Sequence, residues 1–84
     1  MRTLKSNKND NVYTLYTDKI VVKTKTGTKE ILLPKDQGVR WCFYDIYYIQ
    51  NKLFAILVSN GNRDMRIEID EDELEFTGFP ITTY

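Results

Sequence analysis

The sequence predicts an all-β domain: a small antiparallel meander forming a partly open, SH3-like barrel or a compact sandwich of six or seven short strands. Two observations carry this. Runs rich in β-branched and aromatic residues recur from Val12 onward, bounded by Gly, Pro, Asn and Asp. No stretch keeps the apolar period of an amphipathic helix, and no internal repeat or low-complexity tract interrupts the pattern. The SH3-like comparison is one of size and strand count.

The elements follow in chain order. Residues 1–10 are polar and aperiodic, and read as a flexible tail ahead of a single β-rich domain over 11–84. Residues 12–17 form a first strand, and Asp18-Lys19 turns the chain. Segments 20–25 and 28–33 flank Thr26-Gly27, a hairpin turn with Gly available for a positive φ. A two-residue turn there sets Lys23 opposite Glu30, Val22 opposite Ile31 and Ile20 opposite Leu33. Apolar then meets apolar on one face, and a Lys–Glu pair closes the other, at about 0.2–1 kcal/mol per pair. Residues 34–38 are a loop, punctuated by Pro34 and Gly38. A long strand, 39–49, turns at Gln50-Asn51-Lys52 into 53–58. Asn60-Gly61, the strongest hairpin dipeptide in the chain, leads to the alternating strand 64–69. Residues 70–73 are a turn or a single helical turn and 74–77 a short strand; Gly78-Phe79-Pro80 then releases a tail, 81–84, suited to a sheet edge.

The long strand decides the functional reading. Five of the nine residues from Trp41 to Ile49 are aromatic, and they fall on both faces of a strand. Pairing Ser59 with Asn62 across Asn60-Gly61 gathers Trp41, Phe43, Tyr47, Ile49, Phe54, Ile56, Val58, Met65, Ile67 and Ile69 on one face, a core. The other face carries Cys42, Tyr44, Ile46, Tyr48, Leu53, Ala55 and Leu57, then Asp64, Arg66 and Glu68. If a barrel closes, Tyr44, Tyr48 and Leu57 form an exposed patch rimmed by Arg66 and Glu68. If other strands cover that face, the patch is core instead. Asp45 breaks the pattern by falling among core positions. A β-bulge that flips the phase, moving Ile46 and Tyr48 inward, accounts for it. So does a rim position bonded to a Tyr or a backbone N–H, and so does a functional carboxylate.

Composition bounds the chemistry. Eighty-four residues make one domain. No stretch approaches the roughly 20 apolar residues of a membrane-spanning helix, and residues 1–8 have no apolar core of a secretory leader. A single cysteine excludes an intrachain disulfide framework and points to a reducing cytoplasm. Cys42, between Trp41 and Phe43, reads as a small buried hydrophobe. The excess of Lys over Arg is consistent with an AT-rich bacterial or phage genome. The absence of histidine removes the commonest general base and every Ser-His or Cys-His nucleophile pair. No phosphate-binding loop, dinucleotide fingerprint or zinc spacing is present, so no cofactor or metal is expected. The acidic run 70–75 lacks an EF-hand's central Gly and distal Glu and reads as a solvated turn. A hydrolytic carboxylate pair such as Glu68 and Glu75 has nothing to set its spacing.

Net charge is zero but divided. Residues 1–40 hold nine basic and four acidic side chains; residues 41–84 hold three and eight. Opposite signs then either attract within the fold or leave a bipolar surface. The expected function is a non-enzymatic protein-interaction module, of a size suited to a stoichiometric inhibitor or accessory factor. Tyr44, Tyr48, Leu57 and Arg66 are its contact residues. A first alternative is a small nucleic-acid-binding barrel using Lys19, Lys23, Lys25 and Lys29 beside stacking aromatics. A second is a self-associating homodimer built on exposed strand edges.

Overall fold

The computed structural model describes residues 2–34, 38–61 and 63–83, with side chains described as far as residue 77. Eight strands follow one another: β1 (Arg2–Lys5), β2 (Val12–Leu15), β3 (Lys19–Thr24), β4 (Gly27–Leu32), β5 (Trp41–Ile49), β6 (Lys52–Ser59), β7 (Asp64–Asp70) and β8 (Glu75–Thr83). They form two four-stranded antiparallel meanders, β1-β2-β3-β4 and β5-β6-β7-β8. The chain midpoint divides the sheets, so the basic half of the sequence is the first sheet and the acidic half is the second.

The inner faces of the two sheets make one core. Tyr13, Leu15, Ile20, Val22 and Ile31 come from the first sheet; Trp41, Phe43, Ile46, Leu53, Ala55, Leu57, Met65, Ile67 and Ile69 come from the second. Burying each large side chain contributes roughly 1.5–3 kcal/mol. β5 packs beside β1 and β2, which closes the sheets along one seam. There Phe43 N–H donates to Thr17 O at 2.9 Å, and Arg2 Nε donates to Ile46 O at 3.1 Å.

Three registers differ from the sequence reading. The β3–β4 turn is Lys25-Thr26, not Thr26-Gly27, so Ile20 meets Ile31 and Lys19, not Lys23, pairs with Glu30 at 3.0 Å. The slip is two residues, an even number, so Ile20, Val22 and Ile31 still face inward. The β6–β7 loop is one residue longer than a two-residue hairpin. Ser59 N–H donates to Arg63 O, and Leu57 rather than Ile56 meets Met65. In β5 the register shifts between Phe43 and Asp45, a bulge with Tyr44 as the extra residue. Both odd steps invert what they follow. Ile46 turns inward with Leu53, Ala55 and Leu57, while Tyr47, Ile49, Phe54, Ile56 and Val58 become half-buried on the outer face.

The ends of the chain differ as well. Where a flexible tail was expected, Arg2–Lys5 is β1, paired with Val12–Leu15 in antiparallel register. The chain is not released as a tail at Gly78: β8 continues to Thr83, and it runs along the edge of the second sheet as expected for residues from 81 on, with a register shift opposite Arg66–Glu68. The expected loop 34–38 lies partly outside the described residues. Asp45 is settled by the bulge together with a rim position: its Oδ1 accepts from Ile46 N–H at 2.8 Å and from Arg2 Nε at 2.9 Å.

The charge asymmetry is answered partly within the fold. Arg2–Asp45 (2.9 Å) and Lys8–Asp72 (3.4 Å) join the two halves; Lys19–Glu30 (3.0 Å) and Lys25–Asp10 (3.6 Å) lie within the first. All are solvent-exposed in part, so each contributes at most about 1 kcal/mol.

Candidate functional site

The four expected contact residues do not share a surface. Leu57 is wholly buried, and Tyr48 is half-buried with its ring against the core. Arg66 lies on the outer face of β7, its guanidinium 5.4 Å from the centroid of the Phe54 ring, with Nε buried and lacking a hydrogen-bond partner among the described residues. Tyr44 alone is strongly exposed, at 70%. The bulge explains the division. It inserts Tyr44 as an extra outward residue, and the positions beyond it take the opposite face from a regular strand.

Tyr44 does not stand alone. Tyr16, exposed at 42%, rises from the turn after β2, and the two rings border one groove of about 510 Å³ at the seam. Leu15 and Phe43 line its floor; Arg2, Thr17 and Asp18 supply its polar rim. Local chemistry sets each wall. Tyr16 N–H donates to Lys19 O at 2.9 Å, which holds the β2–β3 turn. Arg2, which borders the groove, is anchored through Nε to Asp45 and Ile46 O. Among the described residues Asp18 makes no ion pair. Sequence reasoning placed Tyr44 on the exposed side of β5 but did not single out Tyr16, Arg2 and Asp18 beside it, because residues 1–10 were read as tail and the seam joins parts of the chain far apart in sequence.

A second cluster, toward the other end of β2 and β5, is polar and closed. Glu71, read as part of a solvated acidic turn, is only 6% exposed. Its Oε1 accepts from Ser6 Oγ at 2.7 Å, Tyr48 OH at 2.7 Å and Tyr13 OH at 2.8 Å. Asn11 Nδ2 donates to Tyr13 OH and to Glu71 O, each at 3.3 Å, and Asn7 N–H donates to Tyr48 OH at 3.2 Å. Burial pushes the Tyr13 hydroxyl well above its ordinary value of 10.0; the Asn11 hydrogen bond opposes this and Glu71 adds to it. Burial likewise raises Tyr48, with Ser6 opposing and Glu71 adding. The neighbours of Glu71 follow the solvated reading. Asp70 Oδ1 accepts from Asp72 and Glu73 N–H, at 2.9 and 3.0 Å, and these two bonds hold its carboxyl below the usual range. Nothing in the run of acids distinguishes Glu71; only the tertiary contact does.

The remaining candidates are placed as follows. Cys42 is exposed on the outer side of β5, not buried. Lys19 and Lys25 are engaged with Glu30 and Asp10, and the Glu30 hydrogen bond holds the Lys19 ammonium above its ordinary value. Lys23 faces outward opposite Thr28 and shares a cleft with Lys25, while Lys25 and Lys29 border a second cleft beside Glu71 and Asp72. The four lysines therefore share a hairpin, and Lys25 joins Lys23 and Lys29 across two clefts, but no single cleft gathers all four. Glu68 lies opposite Thr77 and Glu75 opposite Asp70, so register does not pair those carboxylates. Among the described residues no group of three acidic or Cys side chains is placed to hold a metal ion, and no helix is long and apolar enough to cross a membrane. Neither protein-family models, nor curated proteins, nor solved structures give a match to this chain.

Proposed function

We propose that this chain is a non-enzymatic interaction module, working in a reducing cytoplasm, that binds another protein through the groove between Tyr16 and Tyr44. One observation carries the reading: Tyr44, the extra residue of a β-bulge in β5, is 70% exposed beside a second exposed tyrosine across one groove. Bulges re-aim side chains at functional sites. Tyrosine is a preferred anchor because it offers a large, rigid, amphipathic surface with few rotatable bonds. The groove floor is apolar and its rim carries fixed polar groups, the composition of a recognition pocket. A sequence without histidine also favours binding over acid–base chemistry.

The test compares capture of partners from the native lysate by wild type, Tyr44→Ala, Tyr16→Ala and Lys23→Ala, each checked for folding. The reading predicts that the two tyrosine variants lose a partner that Lys23→Ala keeps. Retention of every partner by folded Tyr44→Ala and Tyr16→Ala contradicts it. A second reading, self-association, draws on the half-buried outer face of β5–β7, where Tyr47, Phe54, Ile56 and Val58 lie together. Sedimentation at two concentrations separates it from a monomer.

A further inference from the structure

Resting on the interaction reading, we infer that the Tyr16–Tyr44 groove takes a proline-containing segment of the partner with a neighbouring Lys or Arg. The edge of β5 carries the first step. An extended peptide can add to an exposed sheet edge by backbone pairing. Here the edge is closed on both sides of the bulge: Phe43 N–H is committed to Thr17 O, and Ile46 O is committed to Arg2 Nε. Only the two bulge residues lie between these bonds, too short a stretch for a ladder. Recognition at this seam therefore runs through side chains, and the ligand gains nothing from offering its own backbone N–H groups.

A polyproline II segment suits those conditions. It has no internal hydrogen bonds, its proline residues lack the donor a ladder would need, and it is ordered before binding. Aromatic-lined grooves are the general surface such segments dock on. Tyr16 and Tyr44 form the walls, and Leu15 and Phe43 form an apolar floor between them. Charge selects the flanking residue. Arg2 is already neutralised by Asp45; Asp18 on the same rim makes no ion pair among the described residues, and the neighbouring Lys19 that attracts it is itself paired with Glu30, so the charge left over is negative. The same acidic balance disfavours a phosphate backbone, although tyrosine rings also stack on bases.

The experiment uses the full chain and fluorescein-labelled synthetic peptides, read by anisotropy. One peptide intersperses proline pairs with arginine, a second replaces every proline by alanine, and a third replaces arginine by glutamate. Oligothymidine is a fourth probe. Saturable binding of the first peptide is expected, about tenfold weaker for Tyr44→Ala and for the alanine peptide. Asp18→Asn should weaken it about threefold at low salt, a difference that fades at high salt. Equal binding of the alanine peptide, no effect of Asp18→Asn, or binding of oligothymidine alone overturns the inference. If no peptide binds while Tyr44→Ala still loses the native partner, the proline assignment fails and the interaction reading stands. If Tyr44→Ala keeps that partner as well, both fail.

Discussion

Two pairs of tyrosines sit on the same two stretches of chain and meet opposite fates. Tyr13 in β2 and Tyr48 in β5 turn inward, and both hydroxyls donate to the Glu71 carboxylate. Tyr16, just beyond β2, and Tyr44, in β5, stand in solvent around a groove. The same side chain seals one end of the sandwich and leaves the other open. What differs is the partner available. At the closed end a loop brings Ser6 to the Glu71 carboxylate, Asn7 N–H to the Tyr48 hydroxyl and Asn11 to the Glu71 backbone carbonyl. At the open end the rim groups are already matched or charged, and Tyr44, next to inward-facing Phe43, points away from the core at the bulge. A tyrosine with a buried acceptor is structural; one without is available to something else.

That contrast rests on strand parity, and the largest effect tests parity directly. Leu57→Asp places a charge in the core and should abolish folding, at about 4 kcal/mol or more. Ile56→Thr, one residue away on the outer face, should change stability by about 1 kcal/mol or less. Urea denaturation of the two variants distinguishes this parity from its inverse.

Glu71→Ala strips the acceptor from three hydroxyls at once and should lose about 3 kcal/mol in the same measurement. Tyr48→Phe removes one donor to a charged group, for about 1.5–3 kcal/mol. The pair also predicts a pH dependence. Both hydroxyls titrate higher in the folded than in the unfolded chain, so their stabilisation is complete below the ordinary value of 10.0 and declines as pH rises through and beyond it. Unfolding free energy should therefore fall above pH 10, less steeply in Tyr48→Phe, and least in the variant that also carries Tyr13→Phe. The smallest stability effect belongs to the open pair. Tyr44→Ala should lie within about 0.5 kcal/mol of wild type, because an exposed side chain is removed.

The fold class was legible in the sequence because alternation and turn residues are local signals. The core of the first sheet was legible too, since the misplaced β3–β4 turn moved its register by two and left Ile20, Val22 and Ile31 facing inward. The second sheet was not. One residue in the loop after Ser59 and one at Tyr44 each change parity, and local composition does not encode that count. Asp45 was the visible trace of the bulge, an acid at a position where regular alternation demands a core residue. β1 was hidden because Arg2, Thr3 and Lys5 are polar and only Leu4 packs against the core; an edge strand of four residues leaves little pattern. Glu71 and the groove depend on contacts between segments tens of residues apart, which no single stretch announces.

Nitration with tetranitromethane, mapped residue by residue in the native protein, tests the division of the tyrosines most directly. Tyr44 and Tyr16 should react first, and Tyr13 and Tyr48 should resist until the chain is unfolded. Modification of Tyr13 or Tyr48 as fast as Tyr44 under native conditions would contradict the assignment of one pair to the interior and the other to the exposed groove.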